Sequence, residues 1–368
     1  MNFRVKQVVK ILMQNAVFPV FYQLGKLRRI DPRLVILADS HHDEVPYSME
    51  ALEEWLEGKD YKLRIMTKDC DKSGYLGGLH FMLRFMLMYA RAGYVFICDN
   101  FLPVASCAKR SETTVVQMWH AGGMLKKYAY DTDRDIPPYY KGNVFRNYSL
   151  IITSDEHCNP AYISGMRADP GIVKGLGLSR TDRFYDAGYL DDCRQRFFAL
   201  YPQAHGKKIV LWAPTFRGNA SIPEIVDMAF LERLRQELGE EWLVVTKLHP
   251  HLQKRIGEDL CPIPTERLLP VADVLISDYS SVIYDFLLLE RPMVFYAPDL
   301  DYYEQKDQFY IDYREMPGPI ITDEARLAAA VKEVLIHPPM ERLHRFRQKY
   351  MGACDGHALE RLIKQIGL

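Results

Sequence analysis

Short apolar segments alternate with longer amphipathic segments along the first half of the chain. Short apolar runs are typical of strands in a parallel sheet, and apolar positions spaced by three and four residues are typical of helices. Their alternation implies parallel strands joined by crossover helices. The pattern predicts strands at 34–37, 63–66, 94–98, 115–119 and 150–153, with helices at 48–56 and 76–91.

The same alternation returns in the second half, after a stretch at 179–206 that we predict to be a linker region. This stretch is rich in glycine and charge and contains a short predicted helix at about 191–200. The sequence therefore predicts an α/β fold with two doubly wound Rossmann-like domains, residues 31–178 and residues 207–368, facing a cleft. In the second domain, strands are predicted at 208–212, 243–248, 273–277 and 293–296, and helices at 223–238, 281–289, 322–336 and 340–351.

The spacing of apolar and basic residues in the segment 1–30 predicts an amphipathic helix that precedes the first domain. This segment contains no acidic residue, and the chain has no apolar run long enough to span a membrane. One interpretation is a helix lying in the membrane interface, with its cations toward anionic head groups. The other is an ordinary surface helix packed on its own domain. The absence of acidic residues favours the membrane. The apolar stripe is formed by Val5, Val8, Val9, Leu12 and Ala16, and a basic cluster follows at Lys26, Arg28 and Arg29.

Composition excludes several classes of protein. Of the 368 residues, 48% are hydrophobic and 26% are charged, which indicates a globular protein with a core. The net charge of −1 gives no general attraction to nucleic acid. The seven cysteines are scattered and form no C-x-x-C pair, so a reducing, cytoplasmic compartment is indicated.

Two histidines follow predicted strands in the same setting. His120 follows the strand at 115–119, and His249 follows the strand at 243–248. Ligands of open α/β sheets bind outside the carboxyl ends of the strands, so two such histidines suggest two half-sites facing one cleft. An imidazole can take a proton from a hydroxyl at neutral pH. The alternative for His120 is a satisfied histidine at a strand end.

Several polar residues near these strand ends are candidates for binding an anionic substrate. Gly122 and Gly123 would let a substrate approach the backbone closely. Lys126 would face the negative charge of the substrate; the alternative is a lysine that is simply solvated. Thr215 and Arg217 end another strand, and the guanidinium would clamp a phosphate unless it forms a salt bridge.

A third strand end offers hydroxyls and backbone N–H groups to an anion. Asp278, Tyr279, Ser280 and Ser281 follow the strand at 273–277, and Asp285 lies about one helical turn later. Either serine would also serve simply as a helix cap. Beside His249, Lys247 belongs to the same motif and Pro250 fixes the chain direction.

Other catalytic motifs are absent or weak. The sequence has neither a G-x-x-x-x-G-K-[ST] loop nor a G-x-S-x-G elbow, which counts against P-loop hydrolysis and serine hydrolases. Adjacent ligand types at residues 41–44 lack the spaced partners of a zinc site. No cofactor or metal is required, although Mg²⁺ could accompany a diphosphate substrate.

The motifs taken together resemble those of the CDP-glycerol glycerophosphotransferase family of wall teichoic acid synthesis. The resemblance runs in the same order through residues 94–322, in the segments QMWHAGGMLKK (117–127), WAPTFR (212–217), KLHP (247–250), SDYSS (277–281) with Asp285, RP (291–292), DLD (299–301), FYIDY (309–313) and PGP (317–319).

This resemblance implies a GT-B-like fold and transfer of glycerol phosphate from CDP-glycerol to an undecaprenyl-diphosphate-linked disaccharide, with release of CMP. It further implies a peripheral enzyme at the cytoplasmic face of the membrane. His120 matches the family's proposed general base and His249 the histidine at the donor phosphates, and Ser280, Ser281, Thr215 and Arg217 fall on donor-site motifs. The sequence WHAGG, in place of W-H-G-T-P, and the chain length resemble the primase that adds the first unit.

Alternative functions remain open at this point. Within the family, the chain would be a CDP-glycerol or CDP-ribitol polymerase. A UDP-sugar glycosyltransferase or 2-epimerase would use a similar two-domain fold. An inactive membrane-bound scaffold is a third possibility, against which the two histidines argue.

Overall fold

The computed structural model describes residues 3–132, 135–215, 217–219, 222–224, 228–248, 261–306 and 308–368. The chain forms two compact units. The first unit comprises Met1–His120, Tyr128–Asp182 and Ala353–Leu368, and the second comprises Ala121–Lys127 and Arg183–Gly352.

The first unit is built on a six-stranded parallel sheet in the order β2-β1-β3-β4-β5-β6. The central strands β1 and β3 are apolar and mostly buried, as is typical of parallel sheets, whereas the edge strand β2 carries charged, exposed residues. The strands are β1 (Asp31–Asp39), β2 (Lys62–Thr67), β3 (Ala92–Ile97), β4 (Thr114–Gln117), β5 (Leu150–Ile152) and β6 (Val173–Lys174).

Five helices of the first unit precede or connect these strands, and one comes from the end of the chain. They are α1 (Phe3–Leu12), α2 (Phe18–Gly25), α3 (Tyr47–Leu56), α4 (Gly74–Tyr89), α5 (Asn159–Met166) and α13 (Ala358–Ile366). The predicted second domain ran to residue 368, but α13 belongs to the first unit. The reason is local hydrogen bonding: both carboxylate oxygens of Asp182 accept backbone N–H groups at the start of α13, from Ala358 and Leu359.

The N-terminal helices turn their apolar stripe outward. Polar Gln14, in the π-helical turn Met13–Val17 between α1 and α2, is fully buried together with Phe18 and Tyr22. Its amide donates to the carbonyls of Ala105 and Asn143 and accepts from the Tyr140 hydroxyl. Four residues of the predicted stripe lie on the other side, and three further apolar residues of this segment are exposed with them. The seven side chains are 42–83% exposed: Val5, Val8, Val9, Leu12, Val20, Leu24 and Leu27. We call these seven residues the outward apolar face.

The second unit has a five-stranded parallel sheet in the order β10-β7-β11-β12-β13 and an antiparallel pair, β8 with β9. Its core packs Trp212, Phe230 and Ile276 between the sheet and its helices. The strands are β7 (Lys208–Ala213), β8 (Arg217–Asn219), β9 (Ile222–Glu224), β10 (Trp242–Thr246), β11 (Val274–Ser277), β12 (Met293–Tyr296) and β13 (Ile320–Ile321).

The helices of the second unit differ from the predicted ones mainly at their starts. The predicted helix at 223–238 is a strand at Pro223, which pairs with Gly218, and a helix only from Phe230. Proline fixes its own backbone and disfavours a helical residue before it, which accounts for the extended start. The helices are α6 (Ala187–Leu200), α7 (Phe230–Leu238), α8 (Thr265–Leu268), α9 (Val282–Leu287), α10 (Leu300–Lys306), α11 (Leu327–Ile336) and α12 (Met340–Met351).

The predicted fold class, α/β with two Rossmann-like parallel sheets, is confirmed. The helix predicted at 191–200 within the linker region is present and begins earlier, at Ala187. The linker region holds the 3₁₀ segment Ser179–Tyr185 and the whole of α6, and the boundary between the units falls after Asp182.

Candidate active site

Three parallel strands bring acidic and imidazole side chains to one edge of the first unit. β1 ends at Asp39, Asp99 follows β3, and His120 follows β4. Since β3 lies between β1 and β4 in the sheet, these residues stand at neighbouring carboxyl ends. This is the edge at which open α/β sheets bind ligands.

His120 is held through one ring nitrogen. Its Nδ1 lies 3.2 Å from the carbonyl oxygen of Cys98 and 3.6 Å from Oδ2 of Asp99. A proton on Nδ1 satisfies these acceptors and leaves the lone pair on Nε2, the nitrogen that would act as a base. The side chain is 52% exposed, so substrate can reach it.

The backbone before His120 is strained. Trp119 has a φ of 51°, which is uncommon for a bulky residue. Residues with such strained backbone angles cluster at functional sites. Gln117 supports the turn, because its Oε1 accepts from the Trp119 N–H at 3.0 Å and its Nε2 donates to the Asp99 carbonyl at 2.9 Å. One buried glutamine thus ties the histidine strand to the aspartate strand.

A second imidazole–carboxylate pair lies at the end of β1, and sequence reasoning missed it. His42 Nδ1 is 2.9 Å from Oδ2 of the buried Asp39, and His41 Nε2 is 4.0 Å from Oδ2 of Asp99. Burial alone would raise the pKa of Asp39, but hydrogen bonds from His42 and from the His41 N–H outweigh it and hold that pKa below its ordinary value. The hydrogen bond to Asp39 in turn raises the pKa of His42.

In the second unit, Arg217 forms a buried ion-pair network rather than an open phosphate clamp. Its guanidinium donates to Asp299 at 2.6 and 3.0 Å, to Asp278 at 2.8 Å and to the Thr215 carbonyl at 2.8 Å. Only 14% of the side chain is exposed. The prediction that Arg217 clamps a phosphate is therefore corrected, and the salt-bridge alternative holds. These four hydrogen bonds use most of the donors of Arg217 within the protein.

Three other predicted binding residues also point inward. Asp278 is 2% exposed and accepts from the Thr215 N–H at 2.7 Å. Tyr279 is fully buried and donates to Asp299, and burial raises its pKa well above the ordinary value. Lys247 donates to the Cys261 carbonyl at 3.0 Å, and burial lowers its pKa. These residues build the strand ends rather than presenting charge to solvent.

The serines at the start of α9 are more accessible. Ser280, Ser281 and Asp285 are half-buried. The Ser280 hydroxyl oxygen accepts the Val282 N–H at 3.4 Å, whereas the Ser281 side chain makes no cap hydrogen bond. Capping therefore engages Ser280, and Ser281 is the stronger candidate for contacting a ligand.

Two buried hydroxyls mark the carboxyl edge of the second sheet. Thr215 follows β7 and Thr246 ends the neighbouring strand β10. Neither hydroxyl oxygen has a hydrogen-bond partner among the residues that the structure describes. Buried polar groups are nearly always satisfied, so these two hydroxyls are candidates for contacting an incoming polar group. Thr246 was not predicted, although it stands in the same motif as Lys247.

Gly122 and Gly123 serve packing within the second unit. A Cβ on Gly123 would lie 2.1 Å from ring atoms of Tyr284, and its φ of 62° suits glycine. A Cβ on Gly122 would lie 3.1 Å from the Met351 sulfur. Protein side chains, not substrate, occupy the space predicted for close approach. Lys126, further along this segment, is half-buried and bridges to Phe309.

His249 and Pro250 lie outside the described residues, so their predicted roles stay predictions. Within the described part of the chain, no three His, Cys, Asp or Glu side chains are grouped so that they could hold a metal ion.

A sequence profile of the family described as CDP-Glycerol:Poly(glycerophosphate) glycerophosphotransferase matches residues 20–368. The chain belongs to this family. It is a transferase of teichoic acid biosynthesis, and the resemblance predicted from its motifs is confirmed.

Individual relatives include both primases and polymerases. The chain is 31% identical to the teichoic acid ribitol-phosphate primase of Bacillus spizizenii over 95% of its own length and 94% of the relative. It is 30% identical to the teichoic acid glycerol-phosphate primase of Bacillus subtilis, covering 74% and 73%. The poly(ribitol-phosphate) polymerase of Bacillus spizizenii is 30% identical, and the chain spans 59% of that protein.

Solved structures show the same fold. The wall teichoic acid polymerase TagF matches with a TM-score of 0.76 at 22% identity, covering all of this chain and 98% of that one. A UDP-GlcNAc 2-epimerase from Methanocaldococcus jannaschii matches with a TM-score of 0.53 at 13% identity, over 91% of this chain and 99% of the other. The fold of this glycerophosphotransferase-family protein is therefore GT-B-like, as predicted.

Proposed function

We propose that this protein transfers glycerol phosphate from CDP-glycerol to an undecaprenyl-diphosphate-linked disaccharide, releasing CMP, and acts as a primase. The observation that carries the proposal is the placement of His120, with Nδ1 against the Cys98 carbonyl and Asp99 and a half-exposed ring at the carboxyl edge of its sheet. The WHAGG sequence around it resembles primases more than polymerases.

The chemistry is a single displacement at phosphorus. The acceptor hydroxyl oxygen attacks the β-phosphorus of CDP-glycerol, a new P–O bond forms, and the bond to CMP breaks. Nε2 of His120 takes the hydroxyl proton, and Asp99 stabilises the resulting imidazolium. Positioning and electrostatic stabilisation supply most of the acceleration in such transfers.

The donor phosphates are assigned to the second unit. The accessible Ser281 hydroxyl and the buried Thr215 and Thr246 hydroxyls support this assignment, together with His249 from the sequence motif. We assign Arg217 a positioning role rather than direct contact with the donor. Its ion pairs with Asp278 and Asp299 hold the loops that follow β11 and β12.

The N-terminal helices are assigned to the membrane surface, which makes the protein peripheral at the cytoplasmic face. No helix in the described part of the chain is long and apolar enough to cross a bilayer. The outward apolar face supports interfacial binding, because Gln14, Phe18 and Tyr22 pack inward and leave the apolar stripe in contact with solvent. An ordinary surface helix would pack its apolar residues against its own domain and expose its polar residues.

A second candidate is transfer of ribitol phosphate from CDP-ribitol. The near full-length match to a ribitol-phosphate primase favours it.

One assay separates these functions. The protein is incubated with a synthetic disaccharide-diphosphate lipid and either CDP-glycerol or CDP-ribitol, and CMP release and product mass are measured. We expect CMP release with CDP-glycerol and one added unit per acceptor. Preference for CDP-ribitol selects the second candidate, multiple additions indicate a polymerase, and turnover of UDP-sugars alone rejects the proposal.

A further inference from the structure

One oxygen of Asp99 faces two imidazoles that come from different strands of the first unit. Oδ2 of Asp99 lies 3.6 Å from Nδ1 of His120 and 4.0 Å from Nε2 of His41. His120 follows β4, whereas His41 follows β1, on the other side of β3 in the sheet. A carboxylate oxygen has two lone-pair positions, so one oxygen can accept from both rings at once. The transfer chemistry uses His120 and Asp99 and leaves His41 without a role.

The rest of Asp99 is already held by its neighbours. Its Oδ1 accepts the backbone N–H of Asn100 at 2.6 Å, and its carbonyl oxygen accepts Nε2 of Gln117 at 2.9 Å. Oδ2 is therefore the oxygen that remains for the two rings. The side chain is 35% exposed, so water competes with His120 for this oxygen. A second donor from the protein limits that competition.

The loop after β1 gives each of its two imidazoles a separate carboxylate. Oδ2 of the buried Asp39 accepts the backbone N–H groups of His41 at 2.7 Å and of His42 at 2.8 Å. The same oxygen lies 2.9 Å from Nδ1 of His42, which keeps that ring on Asp39. Within the described part of the chain, Asp99 is the one acidic side chain at ion-pair distance from the His41 ring.

The geometry suits a contact that tightens during the reaction. Both distances to Oδ2 exceed a short hydrogen bond, and catalytic contacts are often long until substrate is bound. When His120 takes the acceptor proton, its ring becomes positive and attracts the carboxylate of Asp99. A neutral His41 that donates from Nε2 to the same oxygen keeps the carboxylate oriented toward His120 in that step.

We infer that His41 is a positioning residue for the transfer, whose Nε2–H holds Oδ2 of Asp99 against His120. The inference rests on the proposed function, because it deepens the role of His120 as the base. His41 itself contacts no reacting atom. Its Nε2 proton stays in place, and the proton of the acceptor hydroxyl ends on His120.

A double-mutant cycle on kcat for CMP release tests this role. His41→Asn should lower kcat by about three- to tenfold, while the dissociation constant of the CDP-alcohol stays within about twofold. In an Asp99→Asn background the same substitution should change kcat by less than about twofold, because the carboxylate that His41 orients is gone. Every variant keeps the backbone N–H that Asp39 accepts, so the loop retains its anchor.

Two further variants separate positioning from a general effect of substitution. His41→Gln places an amide donor at about the reach of Nε2 and should retain most of kcat. His357→Asn is the matched control, since it removes an exposed histidine 3.5 Å from Glu360 in the same unit, and it should leave kcat unchanged. An unchanged kcat in His41→Asn overturns the inference, as does an equal loss with and without the Asp99 carboxylate.

A measurement without substrate keeps this inference separate from the proposed function. In NMR spectra of protein labelled with ¹⁵N-histidine, the neutral ring of His120 should carry its proton mainly on Nδ1. His41→Asn should lower that fraction, and an unchanged fraction also overturns the inference. Absence of CMP release by the unmodified protein with either CDP-alcohol would reject the proposed function, and the position of the His120 proton would then decide the role of His41.

Discussion

Oδ2 of Asp99 lies 3.6 Å from Nδ1 of His120, and Gln117 joins the two strands that carry them. The aspartate is too far for a short hydrogen bond but close enough to stabilise a positive charge on the ring. We therefore assign Asp99 as a positioning residue for His120.

Asp99→Asn should lower kcat for CMP release by roughly ten- to a hundredfold, since the imidazolium formed during the reaction loses its counter-charge. The dissociation constant for the CDP-alcohol, measured by calorimetry, should stay within about threefold, and Asp99→Glu should recover part of kcat. Equal loss of donor affinity in the Asn variant would instead give Asp99 a structural role.

Arg217→Ala should destabilise the second unit by about 3 kcal/mol in urea unfolding, because it leaves the buried Asp278 carboxylate without its partner. Arg233→Ala breaks an exposed pair with Glu324 and should cost under about 1 kcal/mol. A variant of unchanged stability that no longer binds the donor would return Arg217 to the role of phosphate clamp.

Gly123→Ala should be costly because the new methyl group overlaps the Tyr284 ring. We expect about 1 kcal/mol from the positive φ and a further 1–3 kcal/mol, roughly, from overpacking. Gly206→Ala is the matched control, since its φ is also positive, at 77°, but a Cβ there meets nothing within 4 Å. Equal losses at the two positions would show that Tyr284 moves aside freely.

The Asp39–His42 pair should make stability depend on pH. The raised pKa of His42 stabilises the folded state at pH values below 6.5, the ordinary pKa of a histidine. This contribution disappears as pH rises through the higher folded pKa. The lowered pKa of Asp39 stabilises the folded state at pH values above 3.8, the ordinary pKa of an aspartate. This contribution is lost as pH falls through the lower folded pKa. The unfolding free energy of His42→Asn should therefore fall below that of the unmodified protein at pH 5.5, and the gap should shrink by pH 8.5. A gap that widens with pH contradicts the pairing.

Strand ends were the part of the site that the sequence revealed best. Apolar runs located β3, β4 and β11, and the rule that ligands bind at carboxyl ends selected His120, Ser280 and Ser281. The same rule applied to β1 and β3 would have found Asp39 and Asp99, since both directly follow apolar segments.

Partners distant in sequence could not be inferred. Arg217 pairs with Asp299 across 82 positions, and only the folded sheet brings them together. The amphipathic N-terminal helix was predicted correctly as a helix, but which face it turns to its own unit depends on the acceptors that surround Gln14. Those acceptors belong to a short 3₁₀ turn and a loop, and neither has a periodic sequence pattern.

The most direct test of the central claim is the turnover of His120→Asn with CDP-glycerol and the lipid-linked acceptor. His337→Asn, an exposed histidine at the end of α11, is the control. We expect CMP release to fall by about 10²–10⁴-fold in His120→Asn, with CDP-glycerol affinity nearly unchanged and the control fully active. Normal CMP release by His120→Asn would show that another group takes the acceptor proton.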